Sequence, residues 1–366
     1  MNAPFRADHV GSLLKPLALV TARERFKRGE IGAAERIAVE DAAVREVVAR
    51  QEEVGLKSIT DGELRRDYWH LDFLSQLTGV TLVTNEGPAF QGQENSQPPI
   101  ATVTGKLQYA EPAQLQHWKF LHSVTKQTAK VTLPAPGMLH LRGGRKGIST
   151  QIYPDLAEFW ADAAAAYRKV IAAFAAAGCK YLQLDDVGFA YLCDPKFRES
   201  CRANGDDPST LAATYAQAIN ESIRDRPRDM KITMHTCRGN FRSSWVASGG
   251  YEPVAEALFS ADIDGFFMEF DSERAGGFEP LRFLPKGGAK RVVLGLLTSK
   301  TGELEHKDDV KRRIDEATKY VPLEQLCLSP QCGFSSTHHG NDLTAEQQWA
   351  KLRLAVEIAR EVWGEP

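Results

Sequence analysis

Apolar and polar positions along the chain change period again and again. Short apolar runs of strand length alternate with longer stretches of helical period. Residues 4–12 read as a first short strand and loop ending in Val10-Gly11-Ser12. Helical patterns follow over 17–28 and 33–54, and Lys57-Ser58-Ile59 is a strand running into the polar loop Thr60-Asp61-Gly62-Glu63. Residues 78–107 break the rhythm: two β-branched runs flank a Gly/Gln/Asn/Pro-rich middle, which predicts a hairpin-like excursion. Beyond it, helices are predicted near 112–125, 155–177, 209–224, 307–319 and 344–363, the last with Asp342 or Thr344 as its cap. Strands are predicted at 130–134, 181–186, 231–235, 264–270, 291–297 and 325–330.

Eight strand candidates separated mostly by helices predict an α/β fold with a parallel sheet. That number favours a closed (β/α)8 TIM barrel over an open doubly wound sheet. No Gly-x-Gly-x-x-Gly follows the first strand and no phosphate-loop motif occurs, which weakens the dinucleotide-binding alternative. No Pro- or Ser-rich linker divides the chain, so residues 1–366 read as a single catalytic domain.

Composition changes this picture little. A 43% hydrophobic and 25% charged chain is ordinary for a globular protein, and a net charge of -3 gives no reason to expect a nucleic acid or an anionic membrane as partner. Six cysteines in 366 residues are too sparse for a disulfide framework. The first residues lack the apolar core of a signal peptide, and no apolar run approaches a spanning length. A reducing cytoplasm is the expected setting, where thiols stay free.

The candidate chemistry lies at the ends of the predicted strands. His235 and Cys237 follow the fifth strand, Glu269 ends the sixth and Cys332 follows the eighth. One imidazole, two thiols and one carboxylate make a tetrahedral zinc set, and thiolates select zinc over magnesium or calcium. Such a site suits a thiol substrate held as its thiolate. A thiol–His redox or nucleophilic pair is the competing reading. Asp185-Asp186 ends another strand. Adjacent strand residues face opposite ways, so one of the two faces the barrel mouth, and Asp185 is the candidate partner of a substrate ammonium. Glu63 admits a solvated-loop reading. Met138, His140, Arg142 and Gly143-Gly144 could hold an anionic or planar substrate or simply form a turn. Tyr68-Trp69-His70 offers an aromatic platform or packing, and His338-His339 reads as a surface loop.

Together Val10-Gly11-Ser12, Asp61-Gly62-Glu63, Leu182-Gln183-Leu184-Asp185-Asp186, His235-Thr236-Cys237, Met268-Glu269 and Pro330-Gln331-Cys332-Gly333 resemble the cobalamin-independent methionine synthase family. The likeness covers nearly the whole chain, as the catalytic C-terminal barrel, and is nearest to the short single-barrel branch. It implies zinc on His235, Cys237, Glu269 and Cys332. It also implies Glu63 and Asp185 at the amino group of homocysteine, Ser12 at its carboxylate end, and methyl transfer from 5-methyltetrahydrofolate or its polyglutamate. Two departures stand out. Where the long enzymes carry a proton-shuttling His, the nearest residue here is Lys300, and their Asp before the last Cys is Gln331. Both bear on the methyl donor. Transfer of an alkyl group to another thiol, such as coenzyme M, or from a non-folate donor, is the alternative. A barrel metallohydrolase and a non-catalytic zinc-binding protein are the more distant readings.

Overall fold

In the computed structural model, residues 3–84, 99–240, 242–335 and 340–366 are described. The strands are β1 (Ser58–Ile59), β2 (Thr78–Val83), β3 (Ile100–Gln108), β4 (Thr128–Pro134), β5 (Tyr181–Asp186), β6 (Lys231–Thr236), β7 (Gly265–Glu269), β8 (Arg291–Leu297) and β9 (Leu326–Pro330). Seven of them form one curled parallel sheet in the order β1-β4-β5-β6-β7-β8-β9, with helices between. The β2–β3 pair is a separate antiparallel hairpin, the excursion expected near 78–107. Residues 85–98, in its middle, lie outside the described residues.

These strands are buried at nearly every position because helices cover one face and the barrel interior the other. Side-chain alternation then divides them sharply. Leu182, Leu184, Ile232, Met234, Phe266, Met268, Leu294 and Leu328 face outward into the main hydrophobic core. The inward face carries Lys130, Thr132, Tyr181, Gln183, Asp185, Thr233 and His235, all buried, with a small apolar cluster of Val10, Phe267, Val293 and Cys327.

The first strand expected over 4–12 forms differently. Residues 6–8 lie parallel to β9 through one bridge, Ala7 to Leu328, with Asp8 N donating to Leu328 O (3.0 Å) and Leu328 N to Arg6 O (2.8 Å). Toward β1 the links run through side chains. Ser58 Oγ donates to Asp8 Oδ1 at 2.6 Å, His9 Nε2 meets Ser58 O at 3.2 Å, and Thr60 Oγ1 donates to Gly11 O at 2.6 Å. The segment therefore completes the barrel as an eighth stave with almost no backbone ladder. What fixes it is a polar plug. Asp8 also accepts from Lys130 Nζ (3.1 Å) and Tyr181 Oη (2.8 Å), and Lys130 donates to His9 O as well. Burial pushes the Asp8 carboxyl up, but Lys130, His9 and the hydroxyl donors outweigh it and hold it below the ordinary value.

The helices begin where their caps dictate. Thr344, not Asp342, caps Ala345–Trp363 in a capping box with Gln347, and Asp155 caps Leu156–Ala176. Helix Pro195–Ala203, outside the expected set, starts at an Asp194 cap with proline in its first turn, a start signal present in the sequence. Among the described residues no helix is long and apolar enough to cross a membrane.

Candidate metal centre and substrate cavity

The four proposed ligands come from three strand ends. His235 lies on β6 with Cys237 just past it, Glu269 is the last residue of β7, and Cys332 follows β9. All four are buried, and their ligand atoms lie within 4.8 Å of one another. The sulfurs of Cys237 and Cys332 are 3.6 Å apart. Two sulfurs on one tetrahedral zinc, each at about 2.3 Å, are about 3.8 Å apart. Neither ring nitrogen of His235 has a hydrogen-bond partner, although the imidazole is buried beside the Cys237 sulfur. A buried histidine ordinarily satisfies at least one nitrogen, so the donor set fits a thiophilic dication.

The electrostatics agree. The Cys332 thiol donating to it, with His235 close by, holds Cys237 well below the ordinary thiol range against the effect of burial. Gly239 N (3.4 Å) and Asn240 Nδ2 (3.5 Å) also point at that sulfur. Burial, then the Cys237 charge, pushes Glu269 up to about 7. Burial lowers the His235 pKa, but Cys237, Asp185 and Glu269 more than reverse it. Negative charge is concentrated here, and a metal cation would relieve it. None of the six cysteines is in a disulfide, and all are buried. Cys179 and Cys193 are pushed up to about 12 by burial, the inert behaviour expected of packed thiols.

The same centre floors a cavity. Its walls bring together Ser12, Glu63, Trp69 and Asp185 with His235, Cys237 and Cys332. Asp185 accepts from Gln183 Nε2 at 2.7 Å, and that nitrogen also donates to Val10 O at 2.7 Å. Burial and the nearby Glu63 charge push Asp185 up to about 7, against the smaller opposing effects of His235 and Arg66. Asp186 faces the other way and accepts from Phe189 N at 3.0 Å, at the start of the next short helix. Glu63 adopts a left-handed φ of 56°, unusual for a non-glycine residue. Its carboxylate accepts from Thr132 Oγ1 at 2.8 Å and lies 3.5 Å from Arg66 Nη1. Ser12 packs so closely on the loop after β9 that a Cβ at Gly333 would fall 1.9 Å from its Oγ.

Other candidates lie elsewhere. Lys300 does not line the cavity; its ammonium is paired with the buried Asp271. Gln331 accepts from Ser299 N at 2.6 Å and so ties the loop after β8 to the loop carrying Cys332. His140 is engaged by Tyr215 Oη (3.0 Å) and Asp206 (3.2 Å), and neither it nor Arg142 lines this cavity. Within the aromatic stretch Trp69 faces the cavity, while His70 is buried with both ring nitrogens unpaired. His338 and His339 lie outside the described residues. The residues that sequence reasoning missed are those around the ligands. Glu269 accepts from Arg238 N (3.0 Å), Asn240 Nδ2 (2.7 Å) and Arg274 Nη2 (2.8 Å).

Known proteins resemble this chain along nearly its whole length. The profile of the cobalamin-independent synthase catalytic domain matches residues 5–361. The uncharacterized protein YxjH of Bacillus subtilis is 49% identical over 365 residues, covering 99% of this chain and 96% of that one. A candidate vitamin-B12 independent methionine synthase from Listeria monocytogenes has a crystal structure that superposes with a TM-score of 0.80. It is 44% identical, with all of both chains covered. The 5-methyltetrahydropteroyltriglutamate–homocysteine methyltransferase of Thermotoga petrophila is 23% identical over 98% of this chain, which spans only 44% of that longer protein. This chain belongs to the cobalamin-independent methionine synthase family of methyltransferases, as a form built on the catalytic barrel.

Proposed function

We propose that the chain transfers a methyl group to the thiol of homocysteine, giving methionine, with zinc held by His235, Cys237, Glu269 and Cys332. The observation that carries this reading is the meeting of two sulfurs 3.6 Å apart with a carboxylate and an unpaired imidazole. They lie beneath a cavity whose wall carries Glu63 and Asp185. A zinc ion there would keep the substrate sulfur as thiolate at neutral pH, where a free thiol with a pKa of about 8.5 is mostly protonated.

The chain's own residues supply the rest. Asp185 and Glu63, two acids in a desolvated wall, attract the substrate ammonium and so fix which end of the molecule points at the sulfurs. Gln183 holds Asp185 in place. Ser12 is placed to bind the carboxylate end, and Trp69 shields the cavity from water. Residues 1–366 act as one catalytic barrel on small molecules, in a reducing cytoplasm that suits cysteines outside disulfides.

The first donor to consider is 5-methyltetrahydrofolate or its polyglutamate, the substrate class named for the long relatives. One observation favours a second reading. Folate needs a proton at its departing nitrogen, and the candidate acid, Lys300, is paired with Asp271 away from the cavity. An already activated, non-folate methyl donor would need no such acid. The Glu63–Asp185 pair argues for an amino-acid thiol over one such as coenzyme M, which has no ammonium. The test is to incubate zinc-loaded protein with homocysteine and a panel of methyl donors and assay methionine by mass spectrometry. Methionine from one donor supports the reading. No methionine from any donor, with no homocysteine binding at the metal, overturns it.

A further inference from the structure

Glu269 is gripped from the side away from the cavity. Its Oε2 accepts from Arg274 Nη2 at 2.8 Å, and the same Nη2 donates to Asp271 Oδ1 at 3.0 Å. Asp271 Oδ2 in turn takes the ammonium of Lys300. The four side chains form a line of alternating charge, and their exposures are 0% for Glu269, 6% for Arg274, 1% for Asp271 and 10% for Lys300. One Arg274 nitrogen is thus shared by two carboxylates. Its Nε and Nη1 are buried without hydrogen-bond partners, and its guanidinium lies 4.8 Å from the Trp245 ring.

We infer that Arg274 and Asp271 are positioning residues that set how readily Glu269 yields its place in the metal centre to an incoming thiol. The inference rests on the reading of that centre given above. A carboxylate that accepts a charge-assisted hydrogen bond has less electron density to offer a cation. Arg274 therefore draws Glu269 away from the centre, and Asp271, on the other hydrogen of the same nitrogen, weakens that pull by offsetting part of the guanidinium charge. Lys300 moderates this offset by pairing with Asp271. A displaced Glu269 would still have Arg238 N, Asn240 Nδ2 and Arg274 as donors, so its charge would not be left unpaired in a dry interior. A site with four protein ligands and an entering substrate needs such a landing place for the ligand that leaves.

The test compares full-length wild type with Arg274→Gln, Arg274→Lys and Asp271→Asn. Zinc affinity is measured by competition with a chromophoric chelator. X-ray absorption counts sulfur neighbours of zinc before and after homocysteine is added. Arg274→Gln should bind zinc on the order of tenfold more tightly, and homocysteine on the order of tenfold more weakly, the size but the reverse of the usual sign for changes made around metal ligands. Asp271→Asn should shift both quantities the opposite way, and Arg274→Lys should lie between wild type and Arg274→Gln. Damage to packing alone would weaken zinc in every variant, so weakening throughout overturns the inference, as do unchanged affinities. If Arg274→Gln does not fold, the directions seen in Arg274→Lys and Asp271→Asn decide. If homocysteine adds no sulfur to the zinc of the wild type, the reading of the centre fails and takes this inference with it. If the wild type gains a sulfur and the variants behave identically, the inference alone fails.

Discussion

Two charged clusters are buried in one barrel, and only one of them satisfies itself throughout. In the plug around Asp8, each carboxylate oxygen has donors, and Lys130 is paired with Asp8, bonded to His9 O and placed 4.4 Å from the Phe267 ring. At the strand ends the pattern reverses. His235 has two unpaired nitrogens, two sulfurs stand together, and Glu269 and Asp185 are both pushed up to about 7. A buried cluster that satisfies itself fixes the fold. One that gathers thiols, an imidazole and carboxylates of raised pKa, even with Arg274 beside Glu269 and Arg66 beside Glu63, is suited to binding a cation. By this comparison the strand-end cluster is suited to cations from outside the chain, and the proposed ones are a metal among His235, Cys237, Glu269 and Cys332 and an ammonium beside Glu63 and Asp185.

The comparison breaks if the two clusters can be exchanged in their effects. The largest change is expected at the strand ends. Cys332→Ser should reduce bound zinc from about one per chain to nearly none by elemental analysis, with loss of homocysteine binding, whereas Cys193→Ser should keep its metal. Zinc retained by Cys332→Ser would remove that residue from the centre. The next effect belongs to the plug. Asp8→Asn strands the Lys130 ammonium in the interior, and chemical denaturation should show a loss of about 3–5 kcal/mol, typical of breaking a buried ion pair. The folded fraction should still bind zinc.

His9 sharpens the contrast through pH. Burial and the Lys130 charge depress its pKa from 6.5 to about 4. Between these values the unfolded chain binds the proton and the folded chain does not, so unfolding free energy rises with pH across that window. The shift corresponds to roughly 3 kcal/mol. Denaturation of wild type and His9→Gln from pH 4 to 7 should show a steeper rise in the wild type, and parallel curves would show that His9 titrates normally.

How much of this was legible follows from the same two-faced strands. In Tyr-Leu-Gln-Leu-Asp-Asp, 181–186, leucine at every second place marks the outward face and the polar residues between mark the inward one. The barrel and the His, Cys and Glu side chains that cluster at its strand ends could therefore be read from period and residue type. The first stave could not, because Asp8, Ser58, Lys130 and Tyr181, far apart in sequence, replace its ladder with side-chain bonds. Arg274 was invisible for a related reason. In Ser-Glu-Arg-Ala-Gly-Gly it looks like a charged surface turn, and only the folding of two loops places it on Glu269.

Within the strand-end cluster the proposed metal and the proposed ammonium should be separable. Asp185→Asn removes half of the acidic pair without touching a proposed metal ligand. Calorimetry should show homocysteine binding weakened on the order of tenfold, about 1.4 kcal/mol, with zinc content unchanged. A thiol without the amino group should bind wild type and mutant alike. Equal homocysteine affinity in both proteins would place the ammonium elsewhere.

The smallest effect is expected at Lys300. A positioned general acid contributes roughly 10²–10⁴-fold to rate, and such an acid must reach the departing nitrogen. Lys300 instead pairs with Asp271, whose carboxyl is held below its ordinary value by Lys300 and Arg274 in spite of burial. Proton donation to a ligand in the cavity would require breaking that pair and leaving Asp271 charged in a desolvated loop. Lys300→Ala should therefore slow turnover less than tenfold with whichever donor proves active, and leave homocysteine affinity close to wild type. A fall of a hundredfold or more confined to a folate donor, and absent with a sulfonium donor, would instead make Lys300 the acid. It would also show that the Asp271 pair opens during turnover.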